Sequence, residues 1–262
     1  MVPFELLELN LRATLSVFCR AHPAGEVVSK PGLELICSGV SFSTFNAVLL
    51  TEPAEGPEEF CGRLRIAREY FRARNLPWSL WLCEDWLGKG LRRRLSGVVR
   101  SAGLVLLSRM PGMAAAELRP PTRNLPRLAF REVASQQERR AFEQIMTAAF
   151  GVPSLIARQI YGAEATWRDG LTGWVGYWGE APVTTAATRI AAGVIGLYAV
   201  GTLAAFRGQG CAEAAVRHAI AHARKAAGSC AVVLQSTAQA RPLYERLGFR
   251  TVTAYEVYSA WP

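Results

Sequence analysis

The sequence predicts a mixed α+β fold, a largely antiparallel sheet flanked by helices and divided into two units. Three observations carry this expectation. The chain has 262 residues, which at roughly 150 residues per domain allows one large domain or two compact ones. Short apolar strands alternate with amphipathic helices in both halves. A proline-rich stretch, Pro111 to Pro126, then interrupts all apolar periodicity near the middle with four prolines, which remove backbone donors and disfavour helix in the residues before them. The expected units are 1–125 and 126–262.

The elements follow in order. A helix over about 5–19 precedes apolar strands at 33–37 and 45–50. The next helix, 58–74, lines up Phe60, Leu64, Ala67 and Phe71, with Arg63, Arg65, Arg68 and Arg72 around the remainder, the spacing of an amphipathic helix. A strand (78–83), a helix (86–102) and a strand (104–108) complete the first half. Beyond the prolines come a strand (127–133), helices at 136–149 and 154–161, and strands at 171–178, 183–190 and 194–200. A long helix from Gly208 or Gly210 to Ala227, a strand (230–235), a short helix (239–247) and a strand (249–258) end the chain. Consecutive strands predict an antiparallel meander, and the later strand–helix–strand a parallel crossover. The order strand, helix, strand, helix, strand recurs in both halves, which suggests duplication.

Composition narrows the chemistry. Hydrophobic residues are 50% and charged residues 19% of the chain, excluding a disordered polypeptide. The net charge of +9 favours an anionic partner: nucleic acid, an acidic membrane or a phosphorylated small molecule. It is shared almost evenly, with 16 basic and 12 acidic residues before Pro126 and 14 and 9 from there on. The run Leu91-Arg-Arg-Arg94 lies inside an amphipathic helix, with no recognisable nucleic-acid motif beside it. Neither nucleic acid nor membrane is therefore the expected partner. Six scattered cysteines without C-x-x-C pairs, and Glu5 and Glu8 where a leader peptide would carry Lys or Arg, point to a reduced, cytoplasmic setting.

The most informative stretch runs from the strand ending at Val200-Gly201-Thr202 into Arg207-Gly208-Gln209-Gly210-Cys211-Ala212 and an Ala-rich helix. Two glycines permit unusual dihedrals and close ligand approach. The helix that follows presents unpaired N–H groups and a positive dipole end to the same turn. Together they form a cradle suited to a pyrophosphate, with Arg207 at its lip. An ordinary glycine-containing turn has the same local sequence.

This R-x-x-G-x-A pattern resembles the acetyl-CoA signature of the GNAT superfamily of N-acetyltransferases, and Pro242-Leu-Tyr-Glu-Arg-Leu-Gly-Phe249 resembles that superfamily's second motif. The two stand in the right order, one helix and one strand apart, and the resemblance covers most of 127–262. It implies a sheet splayed between its fourth and fifth strands, with acetyl-CoA as cosubstrate. Val200, Gly201 and Thr202 would bond the pantetheine arm, and Arg207, Gly208, Gln209, Gly210, Cys211 and Ala212 would hold the pyrophosphate. Tyr244 falls where many members carry the acid that protonates the departing thiolate, and Thr237 where an Asn often contacts the cofactor.

The implied activity is direct acetyl transfer to a primary amine of a small molecule or peptide. The alternative is a non-catalytic acyl-CoA-binding or regulatory module. Either a monomer or a homodimer is compatible with the sequence.

Other residues are weighed beside these. Glu164, Asp169 and Glu180 are the carboxylates expected near the acceptor, each more simply a solvated charge than a general base. His218 and His222 lack the H-E-x-x-H pattern and a third ligand, so no metal is expected. Cys211 is more simply a small residue beside the glycines than a nucleophile. Trp78, Trp81, Trp86, Trp167, Trp174 and Trp178 suit an aromatic acceptor wall or a core.

In the first half, the matching turn Thr51 to Glu59 carries four carboxylates and no R-x-x-G-x-G, and Val99 stands at the Tyr244 position. Acidic side chains at a helix N-terminus stabilise the helix and repel a pyrophosphate. The first half is thus expected to be a degenerate GNAT-like unit.

Overall fold

A computed structural model describes residues 2–168 and 170–261; Asp169 lies outside the described residues. The described strands form one sheet in the order β1-β2-β3-β4-β11-β5-β10-β9-β8-β7-β6. In the first half, β1 (Glu26–Lys30), β2 (Leu33–Cys37) and β3 (Asn46–Leu50) are antiparallel. The helix α2 (Pro57–Arg72) then carries the chain to β4 (Trp78–Cys83), parallel to β3. The second half repeats this logic. There β6 (Ala129–Glu132), β7 (Leu171–Trp178), β8 (Ala181–Ala191) and β9 (Val194–Thr202) form an antiparallel meander. The helix α7 (Cys211–Ala227) leads to β10 (Val232–Gln235), parallel to β9.

The last strand of each half crosses into the other. β5 (Val105–Ala115), reached through α3 (Lys89–Ser101), is antiparallel to both β10 and β11. β11 (Arg250–Ala260), reached through α8 (Arg241–Leu247), lies between β4 and β5. Backbone hydrogen bonding therefore runs through the middle of the sheet without a seam.

Successive side chains of a strand point to opposite faces, and the helices divide accordingly. On one face, Phe60, Leu64 and Phe71 of α2 and Leu91 and Val99 of α3 pack on Trp78, Leu80 and Leu82. Further along that face, Val216 and Ile220 of α7 and Leu247 of α8 pack on Ile195, Val232 and Leu234. The other face carries α1 (Phe4–Leu15), α4 (Gln136–Phe150), α5 (Ser154–Tyr161) and the short α6 (Ala165–Arg168) over Cys83, Ala187 and Tyr255. At about 25 cal/mol per Å² of apolar surface, these clusters are the main source of stability on both faces.

Helix α1 belongs to the first half by sequence yet packs against β8 and β9 of the second. Its Asn10, fully buried, donates through Nδ2 to the carbonyls of Arg189, Ala191 and Val194 at 3.2, 3.0 and 3.3 Å, and accepts from the Tyr198 hydroxyl at 2.8 Å.

The strand β1 was not foreseen, because its burial alternates too weakly to stand out from a loop. Residues 111–115, expected to open the linker, instead complete β5, and the irregular connection is confined to 116–128. Pairing on both edges outweighs the local proline signal. The Pro111 carbonyl accepts from the Ser236 N–H at 3.0 Å, and β11 slips register between Thr251 and Thr253, beside Gly112, which accommodates the missing donor.

Candidate active site

The sheet has one discontinuity in its pairing that bears on chemistry. Strands β9 and β10 are in register only at Ile195–Val232 and Gly196–Val233. Beyond them, β10 follows β5, with Leu234 and Gln235 opposite Met113 and Gly112, while β9 stays with β8 to the Thr184–Thr202 pair. The two parallel strands thus part after one short contact. In the same stretch, β9 slips register between the partners of Thr185 and Ala187, and Ala199 sits at φ 51°. That left-handed conformation costs a residue with a Cβ on the order of 1 kcal/mol. The slip is held by the Thr185 hydroxyl, which donates to the Ala199 carbonyl at 2.8 Å and accepts from the Gly201 N–H at 3.2 Å. Thr184 likewise donates to the Gly201 carbonyl at 2.8 Å. Of the three strand residues named from sequence, Gly201 is buried and held from β8, while Val200 and Thr202 are partly exposed beside the gap.

The chain then turns through Ala204–Phe206 into the glycines. Gly208 and Gly210 adopt φ 77° and 90°, so both need glycine's freedom. Gly210 caps α7, leaving the first N–H groups of a 17-residue helix without intrahelical partners. A Cβ on Gly208 would meet nothing within 4 Å, so the turn is open to a ligand. Arg207 is exposed, with Nε donating to the Thr202 carbonyl at 3.1 Å. A second guanidinium, that of Arg123 in the connection between halves, donates to the Gly208 carbonyl at 3.0 Å. An open turn lined by free N–H groups and two arginines fits a diphosphate. Arg123 had no motif to announce it; its sequence neighbours Leu125 and Pro126 are brought against Gly210 only by the fold.

Tyr244 of α8 lies on the α7 face, buried, its ring edge-on to Phe249 at 5.6 Å. Among the described residues its hydroxyl has no hydrogen-bond partner, and burial pushes the phenol well above its ordinary range, so it stays protonated near neutrality. Thr237 is exposed, and its hydroxyl accepts from the Ala240 N–H at 3.3 Å, an N-terminal turn contact ahead of α8. Cys211 is buried, and burial raises its thiol, which makes it a packing residue. His218 stacks on Phe130 at 4.3 Å, and no cluster of metal-ligating side chains occurs among the described residues.

Of the carboxylates expected near the acceptor, Asp169 lies outside the described residues, and Glu164 and Glu180 are surface groups. Glu164 is tied to Arg168 at 2.6 Å, which holds its carboxyl below the ordinary carboxylate range, and Glu180 is 95% exposed, 3.9 Å from Arg131. Trp78 and Trp174 are core residues, and Trp167 packs on Phe142. Arg92, Arg93 and Arg94 form a solvated helix face. No described helix is long and apolar enough to cross a membrane.

Glu8, which the sequence marks only as a charge unsuited to a leader peptide, is a further candidate. It falls on the apolar stripe of α1 between Leu7 and Leu11, and a carboxylate in that position was the one legible signal. It is fully buried, and its Oε2 accepts from the Trp86 indole N–H at 2.9 Å.

The sequence profile of the acetyltransferase (GNAT) family matches residues 127–249. No curated protein sequence matches the chain. Among solved structures, a GCN5-related N-acetyltransferase from Kribbella flavida superposes with a TM-score of 0.70 at 22% identity, covering 96% of this chain and 95% of that one. A conserved protein of unknown function from Staphylococcus epidermidis superposes at 0.67 and 13% identity, covering 92% and 95%. A tandem GNAT protein from the clavulanic acid biosynthesis pathway superposes at 0.55 and 13% identity, covering 98% and 93%. At these identities the likeness is one of fold. Profile and fold agree on acyl transfer in general, and residues 127–249 carry the sequence profile of the acetyltransferase (GNAT) family.

Proposed function

We propose that the protein transfers the acetyl group of acetyl-CoA directly to a primary amine of a small molecule or peptide, in the cytoplasm. The observation that carries this is the parting of β9 from β10, with the strained slip at Ala199 on one edge and the open glycine turn at its end. In this reading Val200, Gly201 and Thr202 face the pantetheine arm, Arg207 through Ala212 take the pyrophosphate, and Thr237 borders the cofactor. Tyr244, neutral and without a protein partner, donates its proton to the leaving thiolate; proton donation by a positioned side chain contributes about 10²–10⁴-fold. Bound acetyl-CoA supplies the activated acyl group, and the residues named bind it, orient it and move the proton.

The two halves are read as GNAT-like units, 1–125 and 126–262, that have exchanged their last strands. The first is the non-binding one: α2 opens with Pro57-Glu58-Glu59, and buried Val99 replaces the phenol. Calorimetry with acetyl-CoA, followed by thiol release with a panel of primary amines (spermidine, benzylamine, phenethylamine), tests the activity. Tyr244→Phe is expected to slow turnover about 10²-fold while leaving acetyl-CoA affinity unchanged. Absence of acetyl-CoA binding overturns the whole proposal; binding without thiol release from any amine leaves only the non-catalytic module.

A further inference from the structure

Tyr244 accounts for one proton of the reaction and leaves the other without a destination. An amine acceptor arrives as an ammonium ion near neutrality, and its nitrogen must lose a proton before its lone pair can attack. Glu164 and Glu180, the described carboxylates among those suggested by sequence, are unsuited, being exposed or paired to arginine.

A different carboxylate is available on the opposite face of the sheet. Val233 of β10 packs with Leu7 of α1 and Ala114 on the α1 face. Gln235, two residues on and at the end of β10, therefore points to that face, past the last pairing with β9. There it joins Tyr255 of β11 and Glu8 of α1. The Tyr255 hydroxyl faces both the Glu8 carboxylate and the Gln235 amide. Yet Glu8 Oε1, the Tyr255 hydroxyl and both polar atoms of Gln235 are buried without attaining hydrogen-bond geometry to any group. Glu8 and Tyr255 are each 0% exposed, while Gln235, at the end of β10, is only partly covered. Buried polar groups are almost always paired, and several orphans converging beside a strand gap mark a place built for a polar guest. The cluster draws on both halves of the chain: α1 supplies Glu8, and β10 and β11 supply Gln235 and Tyr255.

We propose that Glu8 is the group that takes the acceptor's proton, with Tyr255 and Gln235 as positioning residues between it and the strand gap. The proposal rests on the acyl-transfer reading above. The Glu8 carboxylate removes one proton from the ammonium and frees the nitrogen lone pair. The N–C bond then forms as the thioester C–S bond breaks, the electron pair staying on sulfur. Tyr244 gives its proton to that sulfur and recovers one from the nitrogen as the amide forms, while Glu8 returns its proton to solvent. The net change is ammonium plus thioester to amide, thiol and one proton. Acid and base thus flank the gap from opposite faces, Tyr244 with Leu234 on one and Glu8 with Tyr255 on the other.

The surroundings suit the task. Burial pushes the Glu8 carboxyl up to about 7, opposed by Trp86, Tyr255 and the Arg12 guanidinium one turn along the helix. The other titratable groups facing it, Cys83 of β4, Tyr198 of β9 and Tyr255 of β11, are themselves raised by burial and uncharged in this range. A base poised near the working pH transfers protons most effectively.

The test uses the full-length protein with acetyl-CoA and the same three amines. For any amine that turns over, kcat/KM should rise through about pH 7 and level off, and Glu8→Gln should lower kcat about 10²-fold and abolish that rise, with acetyl-CoA affinity unchanged. Glu8→Asp should restore part of both. If the wild type turns over and Glu8→Gln keeps its rate and pH dependence, the assignment to Glu8 is wrong while the transfer reading stands; if no amine turns over, the transfer reading fails first. A carbon-detected NMR titration of the glutamate carboxyls, with no substrate present, gives a readout independent of activity. One carboxyl, missing in Glu8→Gln, should titrate between about pH 6 and 8. A Glu8 already ionised below about pH 5.5, or still protonated at about pH 9, cannot exchange protons where the enzyme works and overturns the proposal.

Discussion

Replacing Asn10 with Ala tests the link on which the shared site depends, the fastening of the first helix to strands of the second half. The Asn10 amide divides two N–H groups among the carbonyls of Arg189, Ala191 and Val194, and its oxygen accepts from Tyr198. The equivalent of three hydrogen bonds is lost at about 1 kcal/mol each, and the buried Val194 carbonyl is left with one partner fewer, so the expected destabilisation is about 3 kcal/mol. In a chain of this size that corresponds to a fall in Tm of about 6–12 °C. Urea unfolding followed by far-UV circular dichroism should show a lower midpoint at unchanged m value. Hydrogen exchange should show lost protection in residues 4–15 ahead of the rest of the sheet.

Gly196→Ala probes the same contact from the strand. Its Cβ would lie 1.9 Å from Asn10 Oδ1 and 2.4 Å from the Tyr198 ring, so the amide must move. The two substitutions combined should cost clearly less than their sum. A loss below about 1 kcal/mol for Asn10→Ala, or full additivity with Gly196→Ala, would refute the view that this amide fastens α1.

Three further outcomes follow from the buried carboxylate and the interdigitated strands. Because the folded-state Glu8 carboxyl is raised to about 7 from an ordinary 4.5, its stabilising effect is complete below pH 4.5 and is lost as pH rises through 7. Comparing urea midpoints of the wild type and Glu8→Gln across that window should reveal a difference changing by about 3 kcal/mol, with the wild type relatively weaker at the alkaline end. A difference that does not vary with pH is the contrary result. Cutting the chain after Arg123, which offers a trypsin site in the irregular connection, should yield fragments that stay associated on gel filtration. The reason is that β5 lies between β10 and β11. Residues 126–262 expressed alone should lack a cooperative unfolding transition, and a well-folded isolated segment would contradict the exchange.

What could be read from the chain was whatever depends on neighbours in sequence. Apolar spacing in α2 and α7, the meander from β7 to β9, and the glycines at 208 and 210 each follow from local sterics or periodicity, and the structure has them where they were expected. The motif around Tyr244 was legible for the same reason, since helix, glycine and strand are consecutive. Where pairing came from afar, local signals misled. Pro111 and Gly112 look like a chain break, yet they lie inside β5, because hydrogen bonds from β10 and β11 on both sides outweigh one missing donor.

The sequence by itself therefore determined most of the element order and the glycine turn that opens α7. Only the tertiary structure decided that the last strands interdigitate, that Arg123 reaches Gly208, and that the Tyr255 hydroxyl faces both Glu8 and Gln235. These contacts join residues more than eighty positions apart, and nothing in a local pattern encodes which distant side chain will close on a buried carboxylate; the sheet's pairing brings them together.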